Sequence, residues 1–284
     1  MNRRVLQCGV AFLIVLVIAG AVIAQRGRRG RGGYRYGELD AAGNLLLPAD
    51  RAGVEDWDID PKFLTDTFTF VRVRYTSRYW GYGGGWATDW PDSDLNFSFR
   101  LQQLTSLKVN PDPINLELTD PRLFDYPFLY LVEPGRLEFS DEEVAALRRY
   151  LLNGGFLMVD DFWGEEEWYN FASEMRRVFP DRVPREVPLD HAIFHCVYDI
   201  KEKHQIPSIG HALAGYTSER WDAETAHYKA LYDDDGRMMA FICHNTDLGD
   251  GWEREGENEW YFREYSEKRA YPLGINIVIY AMTH

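Results

Sequence analysis

Between residues 67 and 179 short apolar runs alternate with amphipathic segments, and no other feature of the chain restricts its fold as much. The run 68–75 (FTFVRVRY) reads as a strand. After a loop rich in Gly and Trp, Leu101, Leu104 and Leu107 recur at helical spacing behind a cap at Ser93 or Asp94. Residues 114–118 form a short strand bounded by Pro111, Pro113 and Pro121, and residues 128–132 (FLYLV) are apolar throughout, as a parallel strand covered on both faces requires. Ser140 with Glu143 makes a capping box, Val144, Leu147, Tyr150 and Leu151 share one face, and Gly154 marks the stop. Another buried strand at 156–159 precedes a helix over 165–179 that Pro180 ends. This order predicts an α/β, flavodoxin-like, doubly wound and mostly parallel sheet with helices on both faces. The last third adds an antiparallel hairpin, 228–232 and 237–243 around Asp233-Asp234-Asp235-Gly236. A final helix starts near Lys268, with Pro272 in its first turns and Ile275, Ile279 and Met282 on its apolar side.

The chain begins differently. Arg3 and Arg4 precede an apolar stretch that runs to Ala24, which reads as an export signal (residues 1–24) cut after Val22-Ile23-Ala24. Residues 5–24 are also long enough for an uncleaved anchor in the inner membrane, across a bilayer of ~30 Å. Either way the protein is expected to be exported, periplasmic or envelope-associated, with membrane contact only through that segment. Residues 25–66 form a Gly/Arg-rich tether and lead-in, and 67–284 a single α/β domain. With 45 acidic against 31 basic residues and a net charge of −14, nucleic acid is excluded as a main partner. Three Cys give neither a disulfide framework nor metal-binding spacing, although Cys196 and Cys243 can pair if the fold brings them together.

Several segments carry a further signal: Leu118-Thr119-Asp120, Tyr130-Leu131-Val132, the helix 140–152 with Asn153-Gly154-Gly155-Phe156, Val159-Asp160-Asp161, His191-Ala192-Ile193-Phe194, and 244–253 (HNTDLGDGWE). In this order they resemble the bacterial domain of unknown function 4159 family over roughly residues 67–284. More distantly they resemble trehalose-utilisation-type proteins with a class I glutamine-amidotransferase-like fold. The first resemblance implies an exported or membrane-associated protein and carries no activity with it. The second implies a nucleophilic Cys in a sharp turn after a central strand, but the turn here reads Val159-Asp160-Asp161-Phe162-Trp163-Gly164 and has none.

Ligands of open α/β sheets bind beyond the carboxyl ends of the strands, so Tyr75, Glu133, Asp160 and Asp161 are expected on one rim. Asp160 and Asp161 are candidates for metal binding or acid/base work, or one of them simply caps the next turn. His191 and His195, four apart, can share a metal if their segment is helical, with Asp190 and Asp199 nearby. His244, Asp247, Asp250 and Glu253 follow a strand in a Gly-containing loop and can hold a divalent metal or stabilise the loop itself. The loop 77–94 places Trp80, Tyr82, Trp86 and Trp90 among Gly and Asp, as a sugar-binding cleft does, and Trp252 can join it; equally, such rings can cover the sheet edge. Two functions follow. One is a non-catalytic envelope binding or assembly module holding an envelope protein or glycan. The other is a metal-assisted or acid/base hydrolase of a glycan or amide, with Asp161 paired to His191 or His244. No cofactor beyond a divalent metal is indicated.

Overall fold

The computed structural model describes residues 39–41, 43–63, 66–77 and 85–284. The signal segment, residues 25–38 of the tether, Trp80 and Tyr82 lie outside them. In chain order the main elements are β1 (Val71–Arg74), α1 (Asp92–Leu104), β2 (Ile114–Glu117), β3 (Phe128–Val132), α2 (Asp141–Leu152), β4 (Phe156–Asp160), α3 (Gly164–Val178) and β5 (Arg185–Glu186). There follow α4 (Ile209–Leu213), β6 (His227–Tyr232), β7 (Met238–His244), α5 (Leu248–Glu253), α6 (Glu259–Tyr261), a π-helical stretch (Phe262–Ala270) and α7 (Tyr271–Thr283).

All seven strands lie in one sheet of order β2-β1-β3-β4-β7-β6-β5. The pairs from β2 to β7 are parallel, with Val71 opposite Ile114, Tyr130 opposite Met158 and Leu157 opposite Ala240. β7, β6 and β5 run antiparallel, so the fold is flavodoxin-like with an added hairpin. Because side chains alternate along a strand, Phe70, Phe128, Tyr130 and Met158 face one layer, with Phe97 and Leu101 of α1, Trp252 of α5 and Leu273 and Ile277 of α7. Val71, Val73, Leu129, Leu131, Leu157 and Val159 face the other, under Leu147 and Leu151 of α2 and Phe171 and Met175 of α3. Two buried faces explain why β3 and β4 read as unbroken apolar runs.

Local signals account for the helix ends. The Ser140 hydroxyl accepts the Glu143 N–H at 3.1 Å and the Glu143 carboxylate accepts the Ser140 N–H at 2.7 Å, a reciprocal cap that starts α2. After α2 the chain reverses through Gly154, whose φ of +102° suits no side chain. The start of α1 differs from expectation. It begins at Asp92, and Ser93 and Asp94 are not caps, because both turn inward to bind Arg72 of β1. The last helix also differs: the stretch before Tyr271 is π-helical, and α7 proper begins after it. Among the described residues no helix is long and apolar enough to cross a membrane.

Candidate functional site

In a sheet of this order β1 sends its connection to one face and β3 to the other, since α1 and α2 cover opposite layers. A crevice therefore opens beyond their carboxyl ends, at the point where the strand order reverses. The structure has a cleft of about 500 Å³ there. It is lined by Thr88 and Asp89 from the loop after β1, Glu133 after β3, Asp161 and Trp163 after β4, and Asp247 and Asp250 after β7.

Three of these carboxylates sit on strained backbone. Asp89, Glu133 and Asp161 have φ of +62°, +47° and +55°, a left-handed conformation costing on the order of 1 kcal/mol or more for a residue with a side chain. Such strain persists only where surrounding bonds enforce it. Arg72, fully buried, donates from Nη1 to the Trp86 carbonyl at 2.9 Å and the Thr88 carbonyl at 2.6 Å, fixing the loop that ends in Asp89. Its Nε and Nη2 bind the buried Asp94 carboxylate. Asp161 is held by its N–H to the Thr246 carbonyl and by Trp163 Nε1, which donates to its Oδ1 at 3.0 Å. Asp247 caps α5, accepting the Asp250 N–H at 2.6 Å.

Asp160 lies just beneath. Its Oδ2 accepts Tyr130 OH at 3.1 Å and the N–H groups of Leu248 and Gly249 at 2.9 and 3.0 Å, so the end of β4 ties down the loop that carries Asp247. Gly249 has to be glycine there, because a Cβ would come within 2.7 Å of Asp89 Oδ2 and 2.9 Å of Tyr130 OH.

The arrangement concentrates negative charge away from water. Asp89, Asp161 and Asp247 each place a carboxylate oxygen within 4.8 Å of the others, and Asp89, Asp250 and Glu253 form a second such group. Burial first, and then neighbouring carboxylates, push Asp89, Asp161 and Asp247 well above the usual carboxylate range. Burial also raises Asp160 and Glu133 to about 7 and Glu253 to about 8. Oxygens that share a hard divalent cation at 2.0–2.6 Å lie no more than about 5 Å apart, so either group can hold one. The second already faces a cation: Arg254 donates from Nε to Asp250 at 3.0 Å, and its Nη2 lies 2.7 Å from Glu253. Among the described residues no ion pair neutralises the first group. With oxygen donors alone, it suits Mg²⁺, Ca²⁺ or Mn²⁺ better than zinc.

Several expected site residues lie elsewhere. His191 and His195 do not share a helix: His191 caps a single 3₁₀ turn through Nδ1 and packs on Tyr280, while His195 sits between Asp199 and the Leu189 carbonyl. His244 is buried on the α3 face between Phe162 and Trp168, donates from Nε2 to the Gly164 carbonyl at 3.1 Å, and is lowered to about 4 by burial. It therefore stays neutral and away from the cleft lining. Trp252 is fully buried against Phe97 and Tyr130 and Trp90 is buried beside the Arg72 guanidinium, so neither offers a free stacking face, while Trp86 is half-buried against the core and lines a second cavity with Tyr75 and Arg74. Trp80 and Tyr82 fall outside the described residues. Cys196 and Cys243 are free thiols; Cys196 donates to the Asn276 carbonyl at 3.2 Å and Cys243 is buried in β7.

The structure thus brings together Glu133, Asp161, Asp247 and Asp250 with Glu253 close by and Asp160 below, and adds Asp89, Glu167, Glu219, Arg136, Arg220 and Arg254. Glu133 follows from the strand-end rule. Asp89 carried no periodic signal, because its position depends on a left-handed turn anchored by a distant Arg. Among curated proteins no similar sequence was found. The family model described as Domain of unknown function (DUF4159) matches residues 69–282, a span that takes in every strand of the sheet and every carboxylate of the cleft, and the chain belongs to that family.

Proposed function

We propose that this chain is a binding module of the cell envelope whose strand-end cleft holds one hard divalent cation on Asp89, Asp161 and Asp247, and through it an oxygen-rich ligand. The observation that carries this reading is the convergence of three desolvated carboxylates that, among the described residues, form no ion pair, two of them on strained backbone. An unpaired buried charge costs several kcal/mol, and a divalent cation removes that cost for all three at once. Envelope localisation rests on the N-terminal apolar run and the Val22-Ile23-Ala24 site.

Glu133 favours a second reading. It lines the cleft, accepts the Gly85 N–H at 2.7 Å and Thr88 Oγ1 at 3.0 Å, and is raised to about 7 by burial, which suits a general base beside a metal-bound water. On that reading the module hydrolyses a glycan or amide. Cysteine-dependent amide chemistry has no support, since Asp161 stands in the turn where a nucleophile would be required.

Titration calorimetry of the purified full-length chain with Mg²⁺, Ca²⁺ and Mn²⁺ tests the reading. One site is expected. Asp161→Asn and Asp247→Asn each weaken it by about tenfold or more, because each removes a charged ligand. Asn caps a helix as well as Asp, so the second variant isolates charge from folding. The absence of binding at millimolar cation, or binding indifferent to both substitutions, contradicts it. Glu133→Gln separates the two readings: cation binding survives in both, and only a hydrolase loses turnover.

A further inference from the structure

Trp221 is 91% exposed, the highest value among the large apolar side chains of the described residues. Single exposed apolar residues are ordinary on protein surfaces. What sets this one apart is the rigidity of its loop and the place where the loop sits. On one side Arg220 pairs with Glu167, and both Arg220 and Glu219 line the cleft. On the other, the Asp222 carboxylate accepts the Glu165 N–H at 3.1 Å and closes against Gly164. Ser218 Oγ spans the turn, donating to the Ala223 carbonyl at 2.9 Å, and Gln205 holds the same carbonyl at 2.7 Å. The backbone is fixed on both sides of an indole left in water, and Leu213 and Tyr216 of the same segment are 57% and 63% exposed. Burying an indole stabilises a folded protein, so holding it out in a braced loop forgoes that gain.

The cleft beside it states what the occupant has to be. Seven carboxylates line it against three guanidinium groups, so it stays negative even with one divalent cation bound. Phosphorylated and carboxylated ligands are repelled. A neutral ligand rich in hydroxyls is accepted, since hydroxyl oxygens complete a hard cation's shell, hydroxyl hydrogens donate to the remaining carboxylates, and the apolar face of a sugar ring lies flat on an indole. A cleft of about 500 Å³ accommodates one or two sugar units. We propose that the ligand is a neutral glycan, held by hydroxyls on the cation in the cleft and stacked through a neighbouring unit on Trp221. This deepens the cation-binding reading above and rests on it.

The test uses the purified full-length chain with maltohexaose, cellohexaose and chitohexaose, each with saturating Ca²⁺ and again with EDTA. The indole N–H resonance of Trp221 is identified by its loss in Trp221→Phe. At least one oligosaccharide is expected to shift that resonance only with Ca²⁺ present, and Trp221→Ala is expected to weaken sugar binding by about tenfold while leaving Ca²⁺ affinity unchanged. Ca²⁺ binding with no response to any of the three sugars overturns the glycan and leaves the cation site standing. Sugar binding that persists in EDTA overturns the cation clamp as well. Tighter binding of an oligogalacturonate than of the neutral sugars refutes the charge argument, and concentration-dependent dimerisation in sedimentation that Trp221→Ala abolishes refutes the platform in favour of self-association.

Discussion

Asp161 follows a strand, occupies a left-handed conformation and places a buried carboxyl among other carboxylates, costs that a folded protein tolerates only where something offsets them. Its position was legible from sequence, because a parallel strand of known direction delivers the residue after it to the rim. Asp247 and Asp250 were legible for a related reason: polar residues at three-residue spacing follow the last strand. The histidines misled, since spacing of four brings side chains together only on a helix, and the segment at 191–195 makes one 3₁₀ turn. At residue scale the sharpest prediction concerns Asp160. Asp160→Ala leaves Tyr130 OH and the Leu248 and Gly249 N–H groups without an acceptor, and each buried orphan costs about 1–3 kcal/mol. Chemical denaturation should show a loss of at least about 3 kcal/mol, and cation affinity should fall although the cleft lining is unaltered. Unchanged affinity would separate Asp160 from the site.

β1 and the loop after it act as one element through Arg72. No periodicity announces that an Arg within an apolar strand is buried, and Ser93 and Asp94 have the residue types of caps at a helix start; their inward turn is dictated by Arg72, 21 and 22 residues earlier. Arg72→Ala leaves Asp94 as an uncompensated buried charge and is expected to cost about 3–5 kcal/mol. Replacing both partners, Arg72→Met with Asp94→Leu, should restore most of that stability, since a matched apolar pair carries no desolvation penalty. The double variant still lacks the donor that holds the Trp86 and Thr88 carbonyls. Calorimetry should therefore find cation binding weak in a protein that melts normally, whereas full recovery of affinity would show that Arg72 serves the core alone.

The sheet as a whole, its parallel order and its two covered faces were legible because hydrophobic period and capping act locally and agree with each other along the chain. The cleft was only partly legible, since it is assembled from the loops after β1, β3, β4 and β7 and the segment before β6, whose approach depends on that order. Its collective charge has a consequence for stability. Asp160 and Glu133, raised to about 7, and Glu253, raised to about 8, bind protons more tightly folded than unfolded, as do Asp89, Asp161 and Asp247. Their contribution is fully present below the unfolded carboxylate values near 4 and is lost as pH rises through the folded values. His244, held at about 4, acts in the opposite sense between about 4 and 6.5, but it is one group against six. Metal-free protein should therefore melt at a higher temperature near pH 6 than near pH 8.5, and saturating Ca²⁺ should shrink the difference by removing the share of Asp89, Asp161 and Asp247; a melting temperature that rises with pH in the absence of metal contradicts this charge assignment. The most direct measurement is anomalous diffraction from crystals of the protein soaked in Mn²⁺. One strong peak bounded by Asp89, Asp161 and Asp247 is predicted, with Arg254 still bound to Asp250. A cleft without an anomalous peak at saturating Mn²⁺, or a peak held by other residues, would contradict the account.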